Sequence, residues 1–154
     1  ILKRRGFTEE DFAMLHPGGS LGKRLSLKIS EIMSTGDKIP IVNENAPLKD
    51  AIYKITSKFL GCTGVVNDKN VLIGIITDGD LRRLLEKTLD IKNLLAKDAM
   101  TLNPKKISPD VLASFALQQM ENHKITSLFI TNEKKNPIGI IHLHQLLNLG
   151  LSSR

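Results

Sequence analysis

The chain has 154 residues, 41% of them hydrophobic and 25% charged, with a formal charge of +6. That length supports one core, or two small units sharing one, and no apolar run approaches the roughly 18–20 residues of a membrane-spanning helix. The basic clusters Lys3-Arg4-Arg5, Lys23-Arg24, Arg82-Arg83 and Lys134-Lys135 are short, dispersed and free of interleaved aromatics, so neither a nucleic-acid nor a membrane partner is expected. One cysteine, Cys62, rules out an internal disulfide, and with no signal-peptide pattern the setting expected is cytoplasmic. Ile1 in place of a starting Met points to an excised piece of a longer protein.

Thr8-Glu9-Glu10-Asp11 has the pattern of a capping box, with Phe12 and Leu15 behind it, and predicts a short helix ending at His16-Pro17-Gly18-Gly19. The stretch through Leu27 reads as a linker or strap. Gly18-Gly19-Ser20-Leu21-Gly22-Lys23-Arg24 is not a phosphate-binding P-loop: it is one residue short, and Arg24 stands where Ser or Thr is needed.

Ile39-Pro40-Ile41-Val42 reads as extended. Pro47 suits the first position of a helix whose apolar stripe is Leu48, Ala51, Ile52, Ile55 and Phe59, ended by Gly61. Thr63 to Val66 and Val71 to Ile76 are β-rich runs around a hairpin signal, Asn67-Asp68-Lys69-Asn70. A helix follows over Asp78 to Glu86, with Leu81, Leu84 and Leu85 facing inward.

The second half repeats that order. Ile107 is extended, and Asp110 is placed to cap a helix carrying Val111, Phe115 and Met120. Ser127 to Thr131 and Ile138 to Ile141 are strands, and Leu143 to Leu149 is a helix stopped by Gly150. The closing Gly74-Ile75-Ile76-Thr77-Asp78-Gly79-Asp80-Leu81 returns about 65 residues later as Gly139-Ile140-Ile141-His142-Leu143-His144-Gln145-Leu146. One β-α-β-β-α unit is therefore used twice, and two units too small to stand alone should pack together.

That order and the closing motif, with Glu31-Ile32-Met33 and Asp98-Ala99-Met100 opening the two halves, resemble the cystathionine-β-synthase (CBS) domain. The resemblance implies an α+β CBS-domain pair, two β-α-β-β-α repeats packed about a pseudo-two-fold. Residues 29–90 would be the first repeat and 91–154 the second. Leu15-His16-Pro17-Gly18-Gly19-Ser20-Leu21-Gly22-Lys23 is similar to the junction in arabinose-5-phosphate isomerases of the sugar isomerase (SIS) plus CBS type. Residues 1–28 would then be the last helix of an absent SIS catalytic domain plus its linker. That family interconverts ribulose 5-phosphate and arabinose 5-phosphate, towards the lipopolysaccharide sugar Kdo, and is typically tetrameric; CBS pairs commonly dimerise. The resemblance implies a regulatory pair with a nucleotide or nucleotide-sugar effector, the cytidylyl form of Kdo being one candidate.

Thr77 ends a strand and Asp80 lies in the first turn of the next helix, so both can face one crevice where the helix dipole favours phosphate. A carboxylate there can accept bonds from two vicinal ribose hydroxyls. The same residues also make a good helix start, Thr77 as cap and Asp80 as a favourable anion; the two roles are compatible. The resemblance implies a nucleotide site of Thr77, Asp78, Gly79 and Asp80, joined by Thr63 and Ile41. In the second repeat His142 and Gln145 replace the hydroxyl and carboxylate. His142, His144, Gln145 and Ser127 are the candidates for a different group there, the histidines for a phosphate or carboxylate. His142-x-His144 and Cys62 supply too few donors for zinc, so no metal and no cofactor is expected. His16, before Pro-Gly-Gly, matches a histidine associated in the family with proton transfer at the sugar-phosphate site. It would be catalytic only in the intact parent; the plainer alternative is a histidine that ends a helix.

Overall fold

The computed structural model describes residues 26–88 and 90–150. The helix expected over residues 8–15, His16 and the linker up to residue 25 lie outside them. Two 3₁₀ turns, Ile29–Glu31 and Gly36–Lys38, lead into β1 (Ile41–Asn43), α1 (Leu48–Lys58), β2 (Cys62–Val66), β3 (Leu72–Thr77) and α2 (Asp78–Lys87). The second half runs α3 (Ala96–Ala99), β4 (Thr101–Leu102), β5 (Lys106–Ile107), α4 (Ala113–His123), β6 (Ser127–Thr131), β7 (Pro137–His142) and α5 (Leu143–Asn148).

The strands form a four-stranded sheet in the order β1-β2-β3-β4 and a three-stranded sheet in the order β5-β6-β7. β1 is parallel to β2, because α1 forms a crossover between them, whereas β2, β3 and β4 are antiparallel neighbours. A register shift opposite Val65/Val66 marks a β-bulge in this ladder. It resets the alternation of faces, so that Ile76 and Ile73 pack with Val42, Val65, Leu48, Ala51 and Ile55 on the helix side. Leu72 and Ile75 pack with Cys62, Val66, Phe129 and Ile140 in a second cluster. β2 is buried along its whole length, with Thr63 the one polar side chain in it.

The chain folds into two compact units, one of residues 34–106 and 129–140, the other holding residues 107–128 together with the segments up to Met33 and from Ile141. These do not follow the sequence halves, and backbone hydrogen bonds show why. In the first unit the segment leading into the second repeat binds the first repeat: Ala96 N–H donates to Ala46 O (2.8 Å), Lys97 N–H to Glu44 O (3.0 Å) and Leu48 N–H to Leu94 O (2.9 Å). In the other unit the segment leading into the first repeat binds the second: Ile29 N–H donates to Val111 O (2.8 Å), Ser30 N–H to Pro109 O (3.0 Å) and Ala113 N–H to Leu27 O (2.9 Å).

Several sequence expectations are corrected. Phe59 is not in the apolar stripe of α1; it is the left-handed C-cap (φ 59°) and is 86% exposed. Leu81 and Leu84 pack inward, but Leu85 is half exposed. Asp110 does not cap α4: its N–H donates to Ser108 Oγ, the N-cap is Leu112, Val111 precedes the helix, and Phe115 is exposed. Pro47 is the N-cap of α1 rather than its first residue. The short α3 and β4 were not foreseen, since four and two residues carry no periodicity to read.

Gly64, in the middle of β2, is a packing requirement. A Cβ there would lie 2.9 Å from Leu72 Cδ1 and 3.0 Å from Phe129 Cζ, and the fully buried Phe129 ring has no room to yield. Gly64→Ala is expected to destabilise the fold by about 1–3 kcal/mol, read as a lower urea midpoint with an unchanged slope.

Candidate functional site

The first candidate site is where β3 hands over to α2. Thr77 is extended (φ −109°, ψ 170°) and its Oγ1 accepts from Asp80 N–H at 3.1 Å. Asp80 Oδ2 in return accepts from Thr77 N–H (2.9 Å) and from the Thr77 hydroxyl (3.1 Å). This is a reciprocal capping box. Asp80 Oδ1 accepts from Thr101 Oγ1 (3.0 Å) and forms an ion pair with Arg83. A carboxylate offers about four lone-pair sites, and here all four are taken.

Asp80 is buried to 9% exposure. Burial alone would raise its pKa, but the bonds from Thr77 N–H, Arg83, Thr101 and the Thr77 hydroxyl outweigh it and hold the carboxyl below its ordinary range. Asp78 is exposed and its N–H donates to Gly61 O (3.2 Å). At half-buried Gly79 a Cβ would come 3.4 Å from Arg83 Nη1 and 3.6 Å from Thr77 Oγ1, ordinary contact distances that place this backbone against the guanidinium. Thr63 lies diagonally across the β2–β3 ladder, where Cys62 faces Thr77; it is fully buried and its hydroxyl donates to Gly64 O (3.3 Å). Ile41 is two strands away, opposite Gly64 on β1, where it lines a separate cavity.

The second repeat builds the same cap from different chemistry. His142 Nδ1 accepts from His144 N–H at 3.1 Å, and Gln145 Oε1 accepts from His142 N–H at 2.8 Å. Gln145 Nε2 donates to Ile32 O at 3.3 Å. The His142 and His144 rings lie 4.7 Å apart between centroids. Burial first, and then the like charge of His144, push the His142 pKa down, consistent with an Nδ1 lone pair engaged as an acceptor. Ser127 starts β6, and its buried Oγ has no hydrogen-bond partner among the described residues. Among the described residues no group of three or more His, Cys, Asp or Glu side chains could hold a metal ion.

Sequence reasoning missed Arg83 and Thr101. Arg83 stood in one of the short, dispersed basic clusters, although its i, i+3 spacing from Asp80 was a usable signal. Thr101 is brought in by the β3–β4 ladder, where it faces Ile75, and nothing local announces it.

The family model of the CBS domain matches residues 29–87 and again residues 96–152. The chain belongs to the CBS domain family. This CBS pair is 44% identical to "Arabinose 5-phosphate isomerase KdsD" of Yersinia pestis over 151 residues, 98% of the chain. It spans about half the length of the curated relatives it matches, 46% for that protein. In fold it is similar to CBSX2 solved in complex with AMP (TM-score 0.67, 19% identity, covering 80% of this chain and 95% of that one). It is also similar to the CBS pair of protein MJ0100 solved with 5′-methylthioadenosine and S-adenosyl-L-methionine (TM-score 0.69, 18% identity, covering 80% and 95%).

The two caps should titrate differently. A folded pKa below the ordinary 3.8 means that Asp80 contributes stability above that pH, lost as pH falls through the lower folded value. Asp80→Asn is expected to be less stable than wild type by about 1–3 kcal/mol at pH 7, with the gap closing on acidification below pH ~4, measured by urea midpoints across pH. For His142 the lowered pKa gives stability that is present above 6.5 and lost as pH falls from there towards the folded value. His144→Ala should raise the His142 pKa towards 6.5 without reaching it, because burial remains, as followed by imidazole NMR shifts.

Proposed function

We propose that this chain is the regulatory CBS pair of an arabinose-5-phosphate isomerase, sensing a nucleotide or nucleotide-sugar at the Thr77–Asp80 cap. The observation that carries this reading is the 44% identity over 98% of the chain to a protein named arabinose 5-phosphate isomerase. The parent would convert ribulose 5-phosphate to arabinose 5-phosphate through an SIS domain, with His16 contributing there to proton transfer. It would act in the cytoplasm, as a homodimer or homotetramer.

The geometry supports an effector role for the first repeat more than for the second. Thr77 and Asp80 place a hydroxyl and an anionic carboxylate at the N-terminus of the ten-residue helix α2. With the carboxylate's acceptor sites filled, a ribose diol must take the place of a present partner. Arg83, with a side chain 63% exposed, is the one that can leave at least cost. Release of Arg83 would leave a guanidinium three residues from Asp80, free for the ligand's phosphate. The neutral Gln145 cannot offer a diol the same charge-assisted bonds. A nucleotide-sugar such as cytidylyl-Kdo would present its nucleotide to the first-repeat cap.

The test is thermal unfolding of this chain with AMP, ATP, CMP and cytidylyl-Kdo. A ligand at about 100 times its Kd adds about 2.7 kcal/mol to the folded state, a midpoint rise of about 5–10 °C for a chain this size. The expected result is a rise with cytidylyl compounds that disappears in Asp80→Asn, which retains the shape of the cap. A rise confined to adenylates would make the pair an adenine-nucleotide sensor. No response to any of them would leave an architectural role in assembly.

A further inference from the structure

Within the unit of residues 34–106 and 129–140 there is an open cleft of about 710 Å³ beside β1, and it is not lined by Thr77, Asp80 or any other residue of the cap. Its apolar surface comes from Ile39, Ile41, Pro137 and Ile138, and Lys54 and Lys58 line it from α1. The lysines are one helical turn apart, so their ammonium groups can converge on a single small group. Both side chains are half-buried, and among the described residues neither has an ion-pair or hydrogen-bond partner. Two neighbouring cations without a counter-charge in the cleft can be matched by an anion of charge two. Asp37 also lines the cleft but lies beyond ion-pair distance of both.

We propose that this cleft binds a phosphomonoester carried on a flat or apolar body, with the phosphate between Lys54 and Lys58 and the body against Ile39, Ile41 and Ile138. A phosphomonoester carries close to two negative charges at pH 7 and balances both lysines, which a single carboxylate does not. The volume is that of an ordinary small-molecule site. The aliphatic floor excludes inorganic phosphate and free sugars as well-fitting occupants, since neither covers apolar surface. The site is independent of the cap at Thr77–Asp80 and stands whether or not that cap takes a ribose.

The probe is 1-naphthyl phosphate, which has a planar body, one phosphate and no ribose diol. Its binding to the whole chain is followed by its fluorescence and by NMR shifts of the lysine ε-methylenes. Lys54→Gln with Lys58→Gln removes both charges but keeps polar side chains on this helix face, and should weaken binding at least about tenfold with an unchanged melting midpoint. Asp80→Asn should bind the probe as wild type does. Inorganic phosphate should compete only weakly. Undiminished binding by the double Lys→Gln variant, loss of binding in Asp80→Asn, or no binding to wild type at millimolar probe would each overturn the proposal.

Discussion

The structure depends on an exchange of backbone hydrogen bonds. The segment before each repeat does not close its own repeat. Ala96 donates to Ala46 of the first repeat, and Ile29 donates to Val111 of the second. These N–H and C=O groups sit at the ends of short elements, where helices and strands leave them unpaired, and each pairing satisfies a donor that would otherwise be lost from water. Ala96 and Ile29 are both fully buried as a result. The compact units therefore cut across the sequence repeats, and neither repeat keeps its complete set of backbone partners when taken alone.

The repeat is also preserved at the level of single dihedrals and caps. Asn67 Oδ1 accepts from Lys69 and Val71 N–H, and Asn132 Oδ1 accepts from Lys134 and Asn136 N–H. The helix C-caps Phe59 and Lys124 are both left-handed, at φ 59° and 55°, as are the turn residues Asn70 and Lys135, at 63° and 65°. Phe59, Lys124 and Lys135 are residues that rarely adopt this conformation, so the backbone path there is imposed by its surroundings. Against this shared backbone, charge is what differs. The caps Thr77/Asp80 and His142/Gln145 solve the same helix-start problem, but only the first places a buried anion there. Arg83 and Thr101 compensate that anion, and the second cap needs no such partners. Asymmetric cap chemistry on a repeated backbone follows from two substitutions.

The sequence by itself determined the local units. The apolar β-rich run of Ser127 to Thr131 and the Asn-rich turn at Asn67 act over a few residues and were legible as written. So was the doubling of the β-α-β-β-α unit, and so was the capping role of Thr77 and Asp80, since a capping box is a four-residue pattern. Tertiary structure decided what depends on distant partners. It turned Phe59 and Leu85 outward, because a helical stripe can be read without knowing where the neighbouring sheet ends. It exchanged the lead-in segments, because unpaired backbone groups carry no side-chain signature. It also brought Thr101 to Asp80 across 21 residues through the β3–β4 ladder, filling a carboxylate that the sequence alone presented as open.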